Sequence, residues 1–351
     1  MTAMTSAPAA PAALPEPVPP REFFEDDAPL IPTQDVPACP VCGGTTFVQH
    51  AIAFDYELRT CRNAWRFVRC TDCSHIWLNP RPAISTLSVI YPPHYYAYHY
   101  TEKVSPLALR IKNALDRRKF GTIRSVLGGA PRPLRGFADI GCGDGRYLAF
   151  ARAAGVPDAH NYGLELDPSS VERLRARGFA AVCARVEDCR EIAPASLDLA
   201  TMFHVIEHVD DPRAVVEGVA AWIAPGGVFA VETPNIAAWD ARLFARTYWG
   251  GYHVPRHWNM FTPVTLARLL RDAGLEVVAT RFQTGHSFWM YSMHHLTRYA
   301  GASRPRLSRM FDPFGGWPAL PALAAFTAFD KFRAALGVQT SSMLMIARKP
   351  G

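Results

Sequence analysis

The sequence has no apolar stretch long enough to span a membrane, no basic patch and no recognisable targeting segment. None of its 351 residues falls in a run approaching the roughly 20 apolar residues that a transmembrane helix needs. Residues 1–20 are rich in Ala and Pro and lack the basic start and apolar centre of a secretory signal. The net charge of +6 comes without a dense Lys/Arg stripe, which argues against nucleic acid. We expect a cytoplasmic protein whose partner is an anionic small molecule or a lipid headgroup.

Composition divides the chain into four segments. They are a disordered tail over 1–36, a cysteine-containing unit over 37–82, a helical linker and substrate-pocket segment over 83–135, and an α/β domain over 136–351 that carries a helical insertion over 285–340. The tail is predicted to be disordered because it has too little apolar surface to offset the entropy lost on ordering. The eight cysteines, in a chain without a signal, indicate thiols or metal ligands rather than disulfides.

The α/β domain alternates predicted strands and helices, the pattern of a parallel sheet with crossover helices. The seven predicted strands cover 136–140, 161–166, 179–183, 197–203, 227–232, 275–281 and 342–348. Pro225 and the glycines after it predict a turn before the fifth strand. Thr262 is expected to cap a helix whose first residue is Pro263.

A glycine-rich loop follows the first of these strands. It reads Asp139-Ile-Gly141-Cys-Gly143-Asp144-Gly145. Dinucleotide sites usually have the spacing G-x-G-x-x-G, with a pyrophosphate at the helix N-terminus. Here the glycines alternate, and the two carboxylates would repel a pyrophosphate. They suit the cationic sulfonium and ammonium groups of S-adenosylmethionine, which the loop therefore predicts as the cofactor.

The second strand supports the same cofactor. It ends at Glu165-Leu166, about 20 residues beyond the loop, where a carboxylate can accept hydrogen bonds from both ribose hydroxyls. Ordinary loop glycines with a surface glutamate are the alternative, and the joint pattern disfavours it. The glycine spacing also opposes an NAD-dependent dehydrogenase.

Four motifs in order resemble those of the class I S-adenosylmethionine-dependent methyltransferases. They are the loop at 139–145, His204-Val-Ile-Glu207-His208-Val-Asp-Asp211-Pro212, Pro-Gly-Gly at 225–227 and Glu-Thr-Pro-Asn at 232–235. The resemblance covers about 136–281 and is strongest to the branch with ubiquinone-type O-methyltransferases and sugar C-methyltransferases. It implies an α/β fold with a Rossmann-like seven-stranded sheet and helices on both faces.

The resemblance also implies the cofactor contacts. The methionine part would lie on Asp139, Gly141 and Gly143, the ribose on Glu165, the adenine beside Glu187 and Asp188, and the methyl-transfer pocket on Phe203 and His204. One departure weakens the adenine assignment. Relatives often have an Asp at the end of the third strand, where this chain has Ala184 and Arg185.

Two C-x-x-C pairs stand in front of the α/β domain, at Cys39 and Cys42 and at Cys70 and Cys73. Four thiolates at this spacing can form a closed tetrahedral site, which suits structural Zn²⁺ rather than a catalytic metal. Two unrelated thiol pairs or a redox site are the alternatives. The stretch over 75–82 resembles a zinc-knuckle leader found on many bacterial sugar-modifying methyltransferases.

Four histidines are candidates for the base that removes a proton from the methyl acceptor. They are His204, His208, His253 and His257. The last two lie in an aromatic segment, 249–258, which is predicted to form a lid over the substrate. Together with Tyr95, Tyr96 and Tyr98, this lid favours a sugar acceptor, nucleotide- or lipid-linked.

Two other functions stay open at this point. The pattern His204-x-x-Glu207-His208, with His253 or His257, is similar to the E-x-x-E-H…H metal site of divalent-metal-dependent O-methyltransferases that act on quinone- or catechol-like vicinal hydroxyls. Replacement of the first Glu by His removes a hard oxygen ligand and disfavours Mg²⁺. A methyltransferase-like binding protein without activity is the alternative from another class.

The insertion is expected to be a helical cap. Leu320, Leu323, Phe326 and Phe329 are spaced to share one helical face. We predict that this face turns inward, so that contact with a membrane is at most weak and peripheral.

Overall fold

The structure, a computed structural model, describes residues 27–92, 106–128, 133–301 and 303–351. In these ranges the strands are β1 Thr33–Gln34, β2 Phe47–Ala53, β3 Trp65–Cys70, β4 Ile76–Leu78, β5 Arg81–Pro82, β6 Phe137–Ile140, β7 Asn161–Leu164, β8 Ala180–Val182, β9 Leu197–Phe203, β10 Ile223–Pro234, β11 Asn259–Met260, β12 Glu276–Gln283 and β13 Ser342–Arg348. The α-helices are α1 Leu87–Ile90, α2 Pro106–Ser125, α3 Arg146–Ala153, α4 Pro168–Ala176, α5 Pro212–Trp222, α6 Trp239–Leu243, α7 Pro263–Asp272, α8 His286–Tyr299, α9 Pro305–Ser308 and α10 Leu320–Ala335. Tyr95, Tyr96 and Tyr98 lie outside the described residues.

The central sheet has seven strands in the order β12-β13-β10-β9-β6-β7-β8. All neighbouring pairs are parallel except those of β13, which runs antiparallel to both β10 and β12. The predicted fold class, a seven-stranded Rossmann-like sheet, is confirmed. The carboxyl ends of the parallel strands meet at one edge, where α/β proteins bind their ligands.

Local signals explain where the helices of this domain begin. Asp167 and Asp211 each accept hydrogen bonds from backbone N–H groups at the start of α4 and α5. Thr262 does the same for α7, with Pro263 at the first helical position, so the predicted cap is confirmed. Each cap satisfies N–H groups that have no partner inside the helix.

The fifth strand of the sheet is longer than the sequence indicates. The predicted turn at 225–227 lies inside β10, where the pairing with β9 shifts between Ile223 and Val228. Gly226 has φ +77°, a conformation that glycine adopts without strain. The turn residues therefore produce a bulge, and the strand continues through it.

The N-terminal segment does not form a separate unit. Its sheet has the order β11-β4-β3-β2, and β11 comes from the α/β domain, with Asn259 opposite Trp77. Ordered chain also begins earlier than the predicted tail boundary at residue 36. Ile31 is buried, and its N–H and carbonyl both bond to the side chain of Asn63, while β1 pairs with β5.

The aromatic segment over 249–258 is core and not a lid. Trp249, Tyr252 and Trp258 are 1%, 1% and 5% exposed, and they share one apolar cluster with Phe67 and Trp65 of β3. The lid prediction is wrong because the N-terminal sheet covers this segment. Burial against a distant part of the chain cannot be read from the segment itself.

A buried ion pair joins the two parts inside this core. Arg256 and Asp55 are both 0% exposed, and two guanidinium nitrogens of Arg256 donate to the two carboxylate oxygens at 3.1 and 3.0 Å. The remaining donors of Arg256 go to carbonyls of Ile90 and Val254 and to the Thr60 hydroxyl. Burial alone would raise the pKa of Asp55, but Arg256 and the hydrogen bonds from Thr60 hold it below its usual value.

The insertion is helical, as predicted, but its inner face is polar as well as apolar. Phe326 stacks on Trp289 at 5.3 Å, whereas the innermost residues of α10 are Asp330 and Arg333. Asp330 bonds to Arg333, to the N–H of Gly285 and to the indole of Trp289.

That pair displaces apolar residues of α10 to the outside. Leu320 and Phe329 are 45% and 37% exposed, and Trp317 before the helix is 86% exposed. The prediction of an inward apolar face is therefore wrong for Leu320 and Phe329. Weak contact with a membrane stays a prediction. In the described part of the chain, no helix has the length and hydropathy needed to cross a bilayer.

We expect Asp55→Ala to lower the free energy of unfolding by about 3–5 kcal/mol, because it leaves a buried guanidinium without its counter-charge. Denaturant titration at pH 7 measures this. Since the folded pKa of Asp55 is lowered, the contribution of the pair is complete above the usual Asp pKa of about 3.9. It is lost as the pH falls through the lower pKa of the folded protein.

The matched control is Asp158→Ala, which removes an exposed ion pair with Arg152 whose two side chains are 50% and 39% exposed. It should cost less than about 1 kcal/mol. Equal losses in the two variants would contradict the central role of the buried pair.

Candidate active site

The glycine-rich loop lies at the carboxyl end of β6, on the ligand-binding edge of the sheet. Asp139 is the third residue of β6, is 4% exposed and accepts a hydrogen bond from Thr201 at 2.7 Å. Burial raises the pKa of Asp139 to about 7, although the bond from Thr201 opposes this. Gly143 has φ +50°, and a Cβ added there would meet no atom within 4 Å. At Gly143 the backbone of the loop therefore borders open space, whereas Gly141 and Gly145 pack against Val205 and Leu174.

Glu165 connects this loop to the end of β7. One oxygen of its carboxylate accepts the N–H of Gly143 at 3.0 Å, and the other accepts the N–H of Leu166 at 2.8 Å. Leu166 is 64% exposed. The structure brings Asp139, Gly143 and Glu165 to one edge, as the sequence predicts. With Asp144 they form an acidic rim that fits a cationic cofactor and would repel a phosphate.

The residues that follow β8, the third strand of the domain, give weaker support for a contact with the cofactor. Glu187 and Asp188 form a short turn with Val186 after β8. Arg185, the residue that departs from the family pattern, bonds to Glu187 at 3.0 Å and also to Asp210. Glu187 is therefore already paired with a cation, and its contact with adenine stays a prediction.

His204 stands where β9 ends, between two glutamates. Its side chain is 45% exposed, with Nδ1 3.2 Å from Glu207 and Nε2 3.5 Å from Glu232. Partial desolvation of the imidazole would lower its pKa, but the carboxylates of Glu207 and Glu232 outweigh this and raise the pKa of His204 to about 9. A histidine protonated at neutral pH cannot accept a proton, so the geometry argues against His204 as the base. Its φ of +56° is rare for a residue with a side chain and is typical of functional sites.

Lys119, which no motif of the sequence singles out, completes this cluster. Its ammonium, on α2, lies 2.6 Å from Glu232 and 4.4 Å from the centre of the Phe203 ring. A second link, Arg146 to Asp116 at 2.8 Å, ties α2 to the start of α3, directly after the glycine-rich loop. The only signal in the sequence is the excess of Lys and Arg over 107–127, and this does not single out Lys119, because lysine on a helix is usually solvated.

His208 and His257 also lie close to Glu207. One ligand atom from each of the three lies within 4.8 Å of the others. The Nδ1 atoms lie 3.1 Å from the carbonyl of Arg256 and 2.8 Å from that of Gly251, respectively. If each Nδ1–H donates to its carbonyl, each Nε2 keeps its lone pair for a metal or a proton.

Burial keeps these two imidazoles neutral. It lowers the pKa of His208 to about 4, against the attraction of Glu207, and lowers the pKa of His257 well below its usual value. A neutral imidazole can serve as a base or as a metal ligand.

His253 belongs to the same group of rings but has a different partner. Its ring centre lies 4.9 Å from that of His257 and 6.4 Å from that of His208. Its Nδ1 is 2.6 Å from Glu57 of the N-terminal segment. The structure thus brings together three of the four histidines that the sequence singles out, while His204 reaches them through Glu207.

The four cysteines of the two C-x-x-C pairs also meet. The Sγ atoms of Cys39 and Cys73 are 3.5 Å apart and those of Cys42 and Cys70 are 3.6 Å apart, and all four lie within 4.8 Å of one another. These separations exceed the roughly 2.05 Å of a disulfide. They approach the spacing of about 3.8 Å between thiolates that follows from Zn–S bonds of about 2.3 Å in a tetrahedron.

The domain with this edge matches a known family. Residues 113–280 match the model described as a methyltransferase domain. A ubiquinone biosynthesis O-methyltransferase from Neisseria meningitidis serogroup A is 33% identical over 161 residues, which are 42% of this chain and 66% of that protein. The match therefore spans slightly less than two thirds of the relative. One from Cupriavidus pinatubonensis is 29% identical over 185 residues, 48% of this chain and 70% of that protein.

A solved S-adenosylmethionine-dependent methyltransferase from Archaeoglobus fulgidus is 18% identical and covers 68% of this chain and 94% of its own, with a TM-score of 0.43. The strand order and the motif residues define the class. Residues 113–280 form a class I S-adenosylmethionine-dependent methyltransferase domain, the family that the sequence motifs predict.

We expect Glu165→Ala to weaken the binding of S-adenosylhomocysteine by about 1–3 kcal/mol, the cost of leaving ribose hydroxyls without a charged acceptor. Calorimetry measures the affinity directly. Glu172→Ala, on the exposed side of α4, is the matched control and should bind as the wild type does. Unchanged affinity in Glu165→Ala would remove Glu165 from the cofactor site, and tighter binding of NADH would overturn the choice of cofactor.

Proposed function

We propose that this protein transfers a methyl group from S-adenosylmethionine to a hydroxyl oxygen of a small-molecule acceptor. The observation that carries the proposal is the group of Glu207, His208 and His257, which lies next to His204 at the cofactor edge of the sheet. Similarity to O-methyltransferases of ubiquinone biosynthesis agrees with transfer to oxygen.

Two groups of residues have separate roles in the proposed reaction: one binds the cofactor, and the other removes a proton from the acceptor. The acidic rim of Asp139, Asp144 and Glu165 would hold the cationic cofactor, whose methyl group is already activated on sulfur. The protein then has to orient an acceptor hydroxyl and remove its proton. His257, neutral and with its Nε2 directed away from the Gly251 carbonyl, would accept that proton in a metal-free site.

The same three side chains also fit a divalent ion. One carboxylate and two imidazoles suit Mn²⁺, Fe²⁺ or Zn²⁺ better than Mg²⁺, which prefers oxygen ligands. When bound, such an ion would supply Lewis-acid polarisation of an acceptor hydroxyl. Glu207 is held for this role by a hydrogen bond from Thr233 at 3.0 Å.

A sugar acceptor is the second candidate. It loses the support of the aromatic lid, because Trp249, Tyr252 and Trp258 are buried. Its remaining support is the paired-cysteine module, which resembles the leader of sugar-modifying methyltransferases.

We also propose that Cys39, Cys42, Cys70 and Cys73 bind one structural Zn²⁺. Their close approach would otherwise leave thiols packed together with little to stabilise them. Burial raises the pKa of Cys73 to about 11, so without a cation the thiol would stay protonated. Zinc would ionise the thiols and tie Cys39 and Cys42 to Cys70 at the end of β3 and to Cys73 shortly after it.

The activity is tested with methyl-labelled cofactor and a panel of catechols, hydroquinols and nucleotide sugars, with S-adenosylhomocysteine as the product measured. We expect turnover with a vicinal-hydroxyl acceptor and a loss of at least about a hundredfold in His257→Gln, the usual scale for a catalytic base. His160→Gln, on the exposed turn after α3, should be fully active. Cofactor binding without turnover on any acceptor would favour the binding-protein alternative.

The same assay tests whether turnover depends on a metal bound by Glu207, His208 and His257. If the histidine site holds an ion, mild chelation abolishes turnover and Mn²⁺ or Fe²⁺ restores it, whereas a metal-free base leaves turnover unaffected by chelator.

The zinc proposal predicts about one Zn²⁺ per purified chain by elemental analysis. Cys39→Ser/Cys73→Ser should lose the metal and unfold at a lower temperature. Cys183→Ser is the control, because Cys183 is exposed and lies outside the group of four cysteines. Folded, active wild-type protein without zinc would rule the site out.

A further inference from the structure

A cleft of about 480 Å³ opens between the N-terminal segment and the insertion. Four arginines line it: Arg59 comes from the turn after β2, Arg298 from α8, and Arg306 and Arg309 from α9 and the turn that follows it. Neither the methyl-transfer chemistry nor the cysteine cluster uses these residues. The cleft therefore needs an explanation of its own.

The charge in this cleft has one predominant sign. Glu57 is the one carboxylate on its wall, and it already bonds to His253 at 2.6 Å. Within the described ranges, Arg306 and Arg309 are exposed and no ion pair engages them. A concave surface lined by one sign of charge concentrates the electrostatic potential. Guanidinium groups bind phosphate oxygens in pairs, which lysine cannot do.

The walls of the cleft are fixed in place, as a binding site requires. Arg59 has φ +52°, a strained conformation for a residue with a side chain. Its N–H bonds to the carbonyl of Asp55 at 3.0 Å. The Asp55 carboxylate accepts the N–H groups of Leu58 and Thr60 and is held by Arg256. The buried ion pair therefore maintains the turn that presents Arg59.

The opposite wall is anchored by similar contacts. His294 of α8 lies 3.0 Å from the carbonyl of Ser308, and Ser308 is buried between Arg306 and Arg309. The Tyr299 ring stacks on Tyr56 at 5.0 Å and joins the two walls at the base of the cleft. Flat aromatic surface next to guanidinium groups suits a phosphate attached to a larger organic group.

We propose that this cleft binds a phosphate-bearing ligand, a phosphomonoester or a diphosphate, through Arg59, Arg298, Arg306 and Arg309. Inorganic pyrophosphate and uridine diphosphate probe a soluble source of that group, and phosphatidic acid in phosphatidylcholine vesicles probes a lipid headgroup. The proposal does not depend on the acceptor that the enzyme methylates.

The test compares wild type, Arg306→Gln/Arg309→Gln, and Arg118→Gln/Arg271→Gln, which removes the same charge from exposed arginines on α2 and α7. Calorimetry and vesicle co-sedimentation measure binding. We expect at least one probe to bind wild type and to bind the cleft variant at least tenfold more weakly, with the control variant unchanged. Binding of a soluble probe identifies a free phosphate compound, and binding of vesicles alone identifies a lipid headgroup.

Two outcomes would overturn the proposal: no probe binds wild type, or the cleft and control variants weaken binding equally. Binding of S-adenosylhomocysteine is measured on all three proteins and should not change. If no probe binds the cleft but S-adenosylhomocysteine still binds, the proposed methyl transfer is unaffected. If a probe binds the cleft but S-adenosylhomocysteine does not bind, the proposal for the cleft is unaffected.

Discussion

The ion pair between Asp55 and Arg256 is the contact on which the arrangement of this molecule depends. Both side chains are completely buried, so neither charge has water to solvate it, and each depends on the other. The pair fixes the turn that carries Glu57 and Arg59 on one side and the segment that carries His253 and His257 on the other. This desolvated contact therefore sets the positions of groups in two different sites.

The methyl-transfer edge shows a second electrostatic constraint. Lys119, Glu232, His204 and Glu207 form a row in which positive and negative groups alternate. Each charge is stabilised by its neighbours, which explains why the pKa of His204 rises while burial lowers that of His208. Two histidines four positions apart on the same loop thus differ in protonation state. The sequence pattern gives no signal that separates these two histidines, and only their surroundings in the fold distinguish them.

The parts of the fold that follow from local sequence were predictable. The glycine-rich loop, the caps and the buried strands depend on residues close together in the chain, and the structure has them where the pattern indicates. The Asp55–Arg256 pair joins residues 201 positions apart, and no spacing rule connects them. The segment over 249–258 was misread as a lid for the same reason, since its burial depends on the N-terminal sheet. In α10 the pattern failed because Asp330 and Arg333 occupy the inner face.

The shared sheet has a consequence for how the chain acquires its structure during synthesis. His75 and Asn259 are in contact although they lie 184 positions apart, and β11 completes the sheet that β2, β3 and β4 begin. At about 5–20 residues per second, a ribosome needs roughly 10–40 seconds to make the intervening chain. During that interval the edge of β4 has no partner strand, and unpaired edges associate with other chains. The Zn²⁺ proposed for the four cysteines, if bound early, would hold β2, β3 and β4 together until β11 is made.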